Sequence, residues 1–160
     1  VYLEEGKHQG RMEMYEEAGN ARARLWWKLQ TNRADWEGSY YANREFEGEP
    51  ALVRPDPTID FDWGTGAPAA GLPSDDFGVR WIGYAEFSEG TYQFCARADD
   101  GVAVQINDEV PYIINEWHDG YGTYCTDLYV AGGHHKLTVE YYEGLDAAMI
   151  QFWWQRLIDG

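Results

Sequence analysis

The sequence predicts an all-β fold, a β-sandwich or β-barrel of about ten or more antiparallel strands. Eight tryptophans and twelve tyrosines stand among the 160 residues, and aromatic residues favour strands. Apolar and polar residues alternate in short runs, which is the period of a half-buried strand. Glycine, proline, asparagine and aspartate separate these runs about every 8–12 residues, as turns do in sandwiches and barrels.

The runs predict strands in order along the chain. In the fourth, Val79, Trp81 and Ala85 share the face expected to enter the core. After the Asp99-Asp100-Gly101 turn, we expect Val102–Ile106 to return as the hairpin partner of Gly90–Ala98. The predicted strands are Trp36–Ala42, Ala51–Arg54, Thr58–Asp62, Gly78–Glu86, Gly90–Ala98, Val102–Ile106, Val110–Asn115, Tyr124–Tyr129, His135–Glu143 and Ala147–Gln155.

The beginning and the end of the chain repeat one another. Residues 1–29 align without a gap to residues 128–156, at an offset of 127. Identical pairs include Tyr2/Tyr129, Tyr15/Tyr142, Glu16/Glu143, Trp26/Trp153 and Trp27/Trp154. We therefore expect residues 1–29 to be the last strands of a preceding module, 30–34 a linker and 35–160 a complete module. The segment 1–29 then belongs to an excised array or completes a neighbouring copy.

The charge limits the partners. With 28 acidic and 12 basic residues the net charge is −16, which repels nucleic acid and anionic membranes. Divalent cations, cationic partners and neutral glycans remain compatible, and so does plain solubility. No apolar run approaches the ~20 residues of a membrane span, so no membrane insertion is expected. No signal peptide precedes Val1, which suggests a mature or excised fragment.

Two cysteines, Cys95 and Cys125, fit no metal-binding spacing. They form either one disulfide, which would indicate an oxidising compartment, or two buried free thiols.

Several stretches in a fixed order resemble the PA14 family, a β-barrel-like module of bacterial toxins, glycosidases and yeast adhesins. They are WEGSYYAN, PTIDFDWGTGAP, VRWIG, GTYQFCARADDGVAVQIND, INEWHDG, GGHHKLTVEYYE and AMIQFWW. The resemblance implies a PA14-type fold and a secreted, extracellular or cell-surface location. It is similar to the versions repeated in large secreted bacterial proteins.

The adjacent carboxylates Asp99 and Asp100 are the sharpest candidate site. In sugar-binding PA14 domains such a pair is joined by a cis peptide and holds Ca²⁺, which contacts sugar hydroxyls. The resemblance implies the same role for Asp99 and Asp100. Hard cations prefer oxygen ligands, and Asn115 on a later loop is a further candidate metal ligand. The alternative is structural: Asp99 caps the turn and Asp100 accepts backbone hydrogen bonds.

The loop after Asn115 supplies the other candidate ligand-binding residues. Trp117 and Tyr121 could stack on sugar rings, and Asp119 could accept hydroxyls. Trp117 is equally the residue that PA14 domains use in packing, so we expect it in the core. Tyr121 is then the better exposed aromatic candidate.

No catalytic constellation stands out. Asp60, Asp62, Asp75 and Asp76 suggest a glycosidase pair, but their spacing fixes no geometry, and acids on loops are commonly just solvated. We therefore expect no enzyme activity.

Together these patterns predict a non-catalytic extracellular module with structural or adhesive function in a repeat protein or filament. Its partners would be other copies of itself or neighbouring repeats, joined by strand exchange through residues 1–29. One alternative is a Ca²⁺-dependent, lectin-like carbohydrate-binding domain, and another is an accessory module of a secreted glycosidase.

Overall fold

The computed structural model describes residues 35–157, which form ten strands. Every strand pairing is antiparallel, as the sequence predicted. The strands are β1 Asp35–Tyr41, β2 Leu52–Asp56, β3 Asp60–Gly64, β4 Phe77–Phe87, β5 Gly90–Asp99, β6 Gly101–Ile106, β7 Ile114–Glu116, β8 Gly122–Val130, β9 Gly133–Glu143 and β10 Ala148–Arg156. The repeat at 1–29 and the linker at 30–34 lie outside the described residues. Within 35–157, no helix is long and apolar enough to cross a membrane.

The strands form two sheets. Six strands pair in the order β2-β1-β4-β9-β6-β7, and four pair in the order β3-β10-β5-β8. Side chains alternate between the face turned to the other sheet and the outer face. On β6 and at the end of β9, residues of both faces are buried. The fold is therefore an all-β sandwich of the predicted class.

The inner faces of both sheets supply one aromatic core. On β4, Val79 and Trp81 have no exposed surface and Ala85 is buried, so the predicted inward face is confirmed. From the other sheet, Phe94 and Ile150 are also fully buried. Burying such side chains stabilises the fold by about 1.5–3 kcal/mol each.

A buried carboxylate, Asp56, is satisfied within this core. It accepts hydrogen bonds from the Tyr40 hydroxyl at 2.6 Å, the Trp81 indole at 2.8 Å and Arg54 Nε at 2.8 Å. Three donors offset the cost of removing the charge from water. Gly38 is required beside it, because a Cβ there would lie 2.5 Å from Asp56 Oδ2.

The hairpin expected around Asp99-Asp100-Gly101 is wrong. Strand β5 pairs with β8 and β10, whereas β6 pairs with β7 and β9 in the other sheet. The chain therefore crosses the sandwich at Asp99–Asp100. The crossing lets Val102 and Val104 face the core from the opposite sheet, where both are fully buried.

The strand expected over Val110–Asn115 is also wrong for residues 110–113, because β7 begins at Ile114. Pro111 has no N–H to give to a ladder, and the Val110–Pro111 peptide is cis.

The cysteines, left open by the sequence, form a disulfide. Cys95 and Cys125 are direct neighbours in the β5–β8 register. Both side chains lie on the outer face of the four-stranded sheet. Successive residues of a strand point to opposite faces, and the neighbours of Cys95, Phe94 and Ala96, point into the core.

Candidate functional site

Five connections meet at one end of the sandwich. The pairings place the ends of β1, β3, β5, β7 and β9 beside the starts of the strands that follow them. This loop end carries Asp99–Asp100, the β7–β8 loop with Asp119 and Tyr121, and the β9–β10 turn. Candidate residues that are distant in sequence are thereby placed at one end of the fold.

Asp100 joins two of these loops. Its Oδ1 accepts from Gly120 N at 2.6 Å and its Oδ2 accepts from Gly144 N at 2.9 Å, and the residue is only 7% exposed. The backbone bonding expected of a structural Asp100 is therefore present. The Asp99–Asp100 peptide is cis.

Negative charge is concentrated behind this pair. Burial, then the charges of Asp100 and Asp146, raises the pKa of Asp99. Burial, then the charge of Asp100, raises the pKa of Glu143 to about 8. Glu143 has no exposed surface, and its Oε1 meets no hydrogen-bond donor among the described residues. The loop end is thus a place where a proton or a cation relieves repulsion.

The chemistry of the donors fits Ca²⁺. Carboxylate oxygens are ligands that this ion prefers, and each oxygen of Asp100 keeps a lone pair beyond its backbone bond. Among residues 35–157, no three His, Cys, Asp or Glu side chains are arranged to hold a metal. Backbone, amide or ligand oxygens would have to complete the shell.

A groove of about 660 Å³ runs over the outer face of the six-stranded sheet beside the loop end. Trp117 is 42% exposed there and packs against Tyr142 at 4.8 Å and Phe46 at 5.9 Å between ring centroids. The groove is lined by Arg44, Glu45, Phe46, Arg80, Ala103, Tyr112, Asn115, Trp117, Glu140 and Tyr142.

The two arginines that line the groove each lie near an aromatic ring. Arg80 donates through Nε to Glu140 Oε1 at 2.7 Å, and its guanidinium lies 4.7 Å from the centroid of the Phe46 ring. Arg44 lies 5.9 Å from the centroid of the Tyr142 ring. Stacked, paired guanidinium groups lose little freedom when they donate to a ligand.

The groove and the loop end are continuous. The Tyr142 hydroxyl donates to Asp119 Oδ1 at 2.9 Å. Burial, and then this bond, raises the pKa of Tyr142 to about 12. A Cβ on Gly144 would lie 3.1 Å from Asp100 Oδ2, 3.4 Å from Arg44 Nη1 and 3.7 Å from Asp119 Oδ1. Carboxylates, a guanidinium and aromatic rings thus border one surface.

The sequence-predicted residues divide between these two parts. Tyr121 is 63% exposed, as expected, whereas the expectation of a core position for Trp117 is wrong. Trp117 follows the last residue of β7, and its contacts with Phe46 and Tyr142 leave it partly exposed. Asn115 lines the groove with Trp117, and Asp99 lies at the end of β5 in the other sheet.

The four aspartates suggested as a glycosidase pair bond to different partners. Asp60 and Asp62 lie on β3, where they accept from Gln151 Nε2 at 2.7 Å and Gly64 N at 3.1 Å. Asp75 lies at the loop end and accepts from Asp146 N at 3.3 Å.

Sequence reasoning missed Arg44, Phe46, Tyr142 and Glu143. For Glu143 a signal existed: it continues the inward series Leu137, Val139, Tyr141 on β9, which placed a carboxyl group on the core side. For Arg44 and Phe46 we find no such signal, since their loop has no strand period.

The fold and the site define a β-sandwich domain with a groove beside its loop end. The PA14 domain family model matches residues 33–157, and the chain belongs to that family. Over 121 residues it is 36% identical to the anti-sigma-I factor RsgI3 of Acetivibrio thermocellus. The aligned region covers 73% of this chain and 18% of that protein. The chain thus spans less than a fifth of that relative.

Solved structures of other proteins have a similar fold. An anti-sigma factor domain-containing protein has a TM-score of 0.71 and 32% identity, over 77% of this chain and 43% of that one. A PA14 sugar-binding domain from an RTX adhesin has a TM-score of 0.65 and 20% identity, over 79% of this chain and 91% of that one. At that identity the second likeness shows the fold alone.

Proposed function

We propose that the chain is a non-catalytic, extracellular carbohydrate-binding module whose ligand lies in the groove and against the loop end. The observation that carries the proposal is the juxtaposition of the exposed Trp117 ring with polar groups of the same groove. Sugars have apolar ring faces and hydroxyl rims, and sites that bind them combine aromatic stacking with fixed donors and acceptors.

The groove offers both kinds of contact. Trp117 presents an aromatic face, and Asn115 and Glu140 present amide and carboxylate groups in the same lining. Asp119 carries an oxygen already oriented by Tyr142. Side chains ordered before binding lose less entropy on binding, so the arrangement suits a ligand of many weak polar contacts.

We further propose Ca²⁺ at the loop end, held by Asp99 and Asp100. When bound, the ion would supply positive charge that polarises and orients sugar hydroxyls. Asp99 would bind the ion, and Asp100 would bind it through the lone pairs that its backbone bonds leave free. Those bonds, to Gly120 and Gly144, also keep the β7–β8 and β9–β10 loops in position. The charge accumulated around Glu143 supports a cation here.

Two further observations support an extracellular binding role. The Cys95–Cys125 disulfide is typical of proteins in oxidising compartments. The fold is shared with a sugar-binding domain of an RTX adhesin and with an epithelial adhesin domain of Candida glabrata solved with Galβ1-3GlcNAc. Those likenesses concern the fold, so the groove itself carries the functional argument.

A glycan array probed with and without Ca²⁺ tests the proposal. Trp117→Ala should reduce binding about tenfold, the equivalent of one stacking contact. Tyr84→Ala is the matched control, because Tyr84 is 61% exposed on β4 and does not line the groove. No glycan signal in either condition, or equal losses in both variants, would contradict the groove assignment.

The ion has its own test. Calorimetry with Ca²⁺ should show binding that Asp99→Asn weakens. If glycans bind equally well in EDTA, the metal assignment fails and the groove assignment stands.

A structural role in assembly remains a second candidate, favoured by the repeat of residues 128–156 in residues 1–29. Deleting 1–29 should then abolish polymers while residues 35–160 remain folded. Polymers that persist after the deletion would rule out strand exchange.

A further inference from the structure

The outer face of the four-stranded sheet carries a second set of polar and aromatic side chains that are partly or fully exposed. We define the amide platform as Trp153 with Gln93, Arg97, Gln151 and Gln155. The register places Gln155 opposite Gln93, and Gln151 opposite Arg97. Trp153 lies between these two rows, opposite Cys95. An indole is thus surrounded by three amides and a guanidinium.

Hydrogen bonds between strands hold the polar members of the platform. Because these side chains are held by neighbours, they lose little freedom when a ligand binds. The bonds are Gln155 Nε2 to Gln93 Oε1 at 3.1 Å, Gln93 Nε2 to Asp127 Oδ1 at 3.1 Å, Arg97 Nε to Thr123 Oγ1 at 3.1 Å and Gln151 Nε2 to Asp60 Oδ1 at 2.7 Å.

Trp153 has no place in the core. Its neighbours Phe152 and Trp154 are 8% and 4% exposed and belong to the core cluster, whereas Trp153 is half-buried on the opposite face. The internal repeat nevertheless keeps a tryptophan at this position, Trp26. Core packing explains why Trp154 recurs at Trp27, but it does not explain an outward tryptophan.

Charge indicates the occupant. The chain has a net charge of −16, yet the platform offers three neutral amides and one guanidinium. The acids bonded to it are Asp127 and Asp60, which accept from Gln93 and Gln151, so neither sign of charge dominates. Interfaces between copies of a chain need an extended apolar centre, and here the apolar part is one indole. Amides around an aromatic ring match a polymer that is uncharged, rich in hydroxyls and has apolar ring faces.

We propose that the amide platform is a second carbohydrate-binding surface, which takes a neutral polysaccharide with a sugar ring stacked on Trp153. The platform and the groove lie on the outer faces of opposite sheets. One domain therefore contacts two polysaccharide chains at once. This surface is independent of the groove, and it stands even if the groove binds nothing.

Affinity electrophoresis through gels that contain xyloglucan or mixed-linkage β-glucan tests the platform, with polygalacturonate as an anionic comparison. Trp153→Ala should weaken retardation by the neutral polymers about tenfold. Gln155→Ala and Gln93→Ala should weaken it to a lesser degree. Tyr84→Ala on the opposite sheet is the control, and Trp117→Ala should leave binding at the platform in place.

The outcomes separate the alternatives. If Trp153→Ala is unstable in urea, the two glutamine variants decide the result. Retardation of all three platform variants equal to that of the unmodified chain would overturn the proposal. Stronger retardation by polygalacturonate would overturn the neutral ligand class. Sedimentation that shows self-association lost in Trp153→Ala, without any polysaccharide binding, would assign the face to a second copy instead.

Discussion

Replacing Glu143 with glutamine tests whether the carboxyl group beneath the loop end carries a proton. The single hydroxyl proton of Tyr141 faces two oxygens, the Asp99 carbonyl and Glu143 Oε2, the latter at 3.1 Å. Tyr141 can donate to only one of them. If it donates to Asp99, a protonated Glu143 Oε2 can donate back to the Tyr141 oxygen, so both contacts of Tyr141 are hydrogen bonds.

The pKa of Glu143 gives the direction and size of the effect. It rises from 4.5 to about 8, chiefly through burial and then through the charge of Asp100. The folded state then binds more protons than the unfolded state between those values, so stability falls as pH rises through this window and levels off above it. The full shift corresponds to about 5 kcal/mol. Allowing for water near the loop end, about 2 kcal/mol is expected.

Glutamine has the shape of the protonated acid and does not titrate. Glu143→Gln should therefore match the unmodified chain near pH 5 and exceed it by about 2 kcal/mol at pH 9. Urea denaturation followed by tryptophan fluorescence at pH 5, 7 and 9, in EDTA, measures the difference. Glu86→Gln is the control, because Glu86 is exposed on β4 and its change should stay within about 0.5 kcal/mol.

Two results would refute the reasoning. Parallel pH profiles for Glu143→Gln and the unmodified chain would mean that Glu143 has an ordinary pKa. A variant that is less stable at pH 9 would mean that the ionised carboxylate is stabilised by its surroundings.

The remaining predictions concern the disulfide, the core and the loops. Replacing Cys95 and Cys125 together with serine should lower stability by about 3.6 kcal/mol, because the crosslink spans 30 residues; an unchanged melting temperature would contradict this. Trp81→Phe should cost about 2–3 kcal/mol in urea, since Asp56 loses a donor, and a cost no larger than that of Trp117→Phe would count against it. Asp100→Asn leaves one acceptor for two amides, so hydrogen exchange at Gly120 or Gly144 should quicken about tenfold. Equal quickening throughout β4 would indicate general unfolding instead.

Alternation along the strands predicted most of the fold. The inward series of β4 and β5 could be read from the sequence because the side-chain period of a strand is two, whatever its partner. Partner choice could not be read in the same way. Asp99-Asp100-Gly101 carries turn residues that suit a hairpin and a crossing between sheets equally, and only the other strands decide between them.

The candidate site shows the same division. Asp99, Asp119 and Tyr121 could be found in the sequence, because acids and aromatics in a turn-rich segment point to a surface loop. Their common end of the sandwich depends on the strand order, which no local pattern contains. The groove depends on Phe46 and Tyr142, which flank Trp117 from segments far away in the chain.

A nitrogen–proton NMR titration of the indole N–H groups tests the central claim most directly. The protein is titrated, in the presence of Ca²⁺, with an oligosaccharide that binds on the array. The Trp117 resonance should shift, while the resonances of the buried Trp36 and Trp81 should stay in place. Saturable binding that leaves Trp117 unmoved would show that the sugar lies elsewhere and would contradict the assignment of the groove.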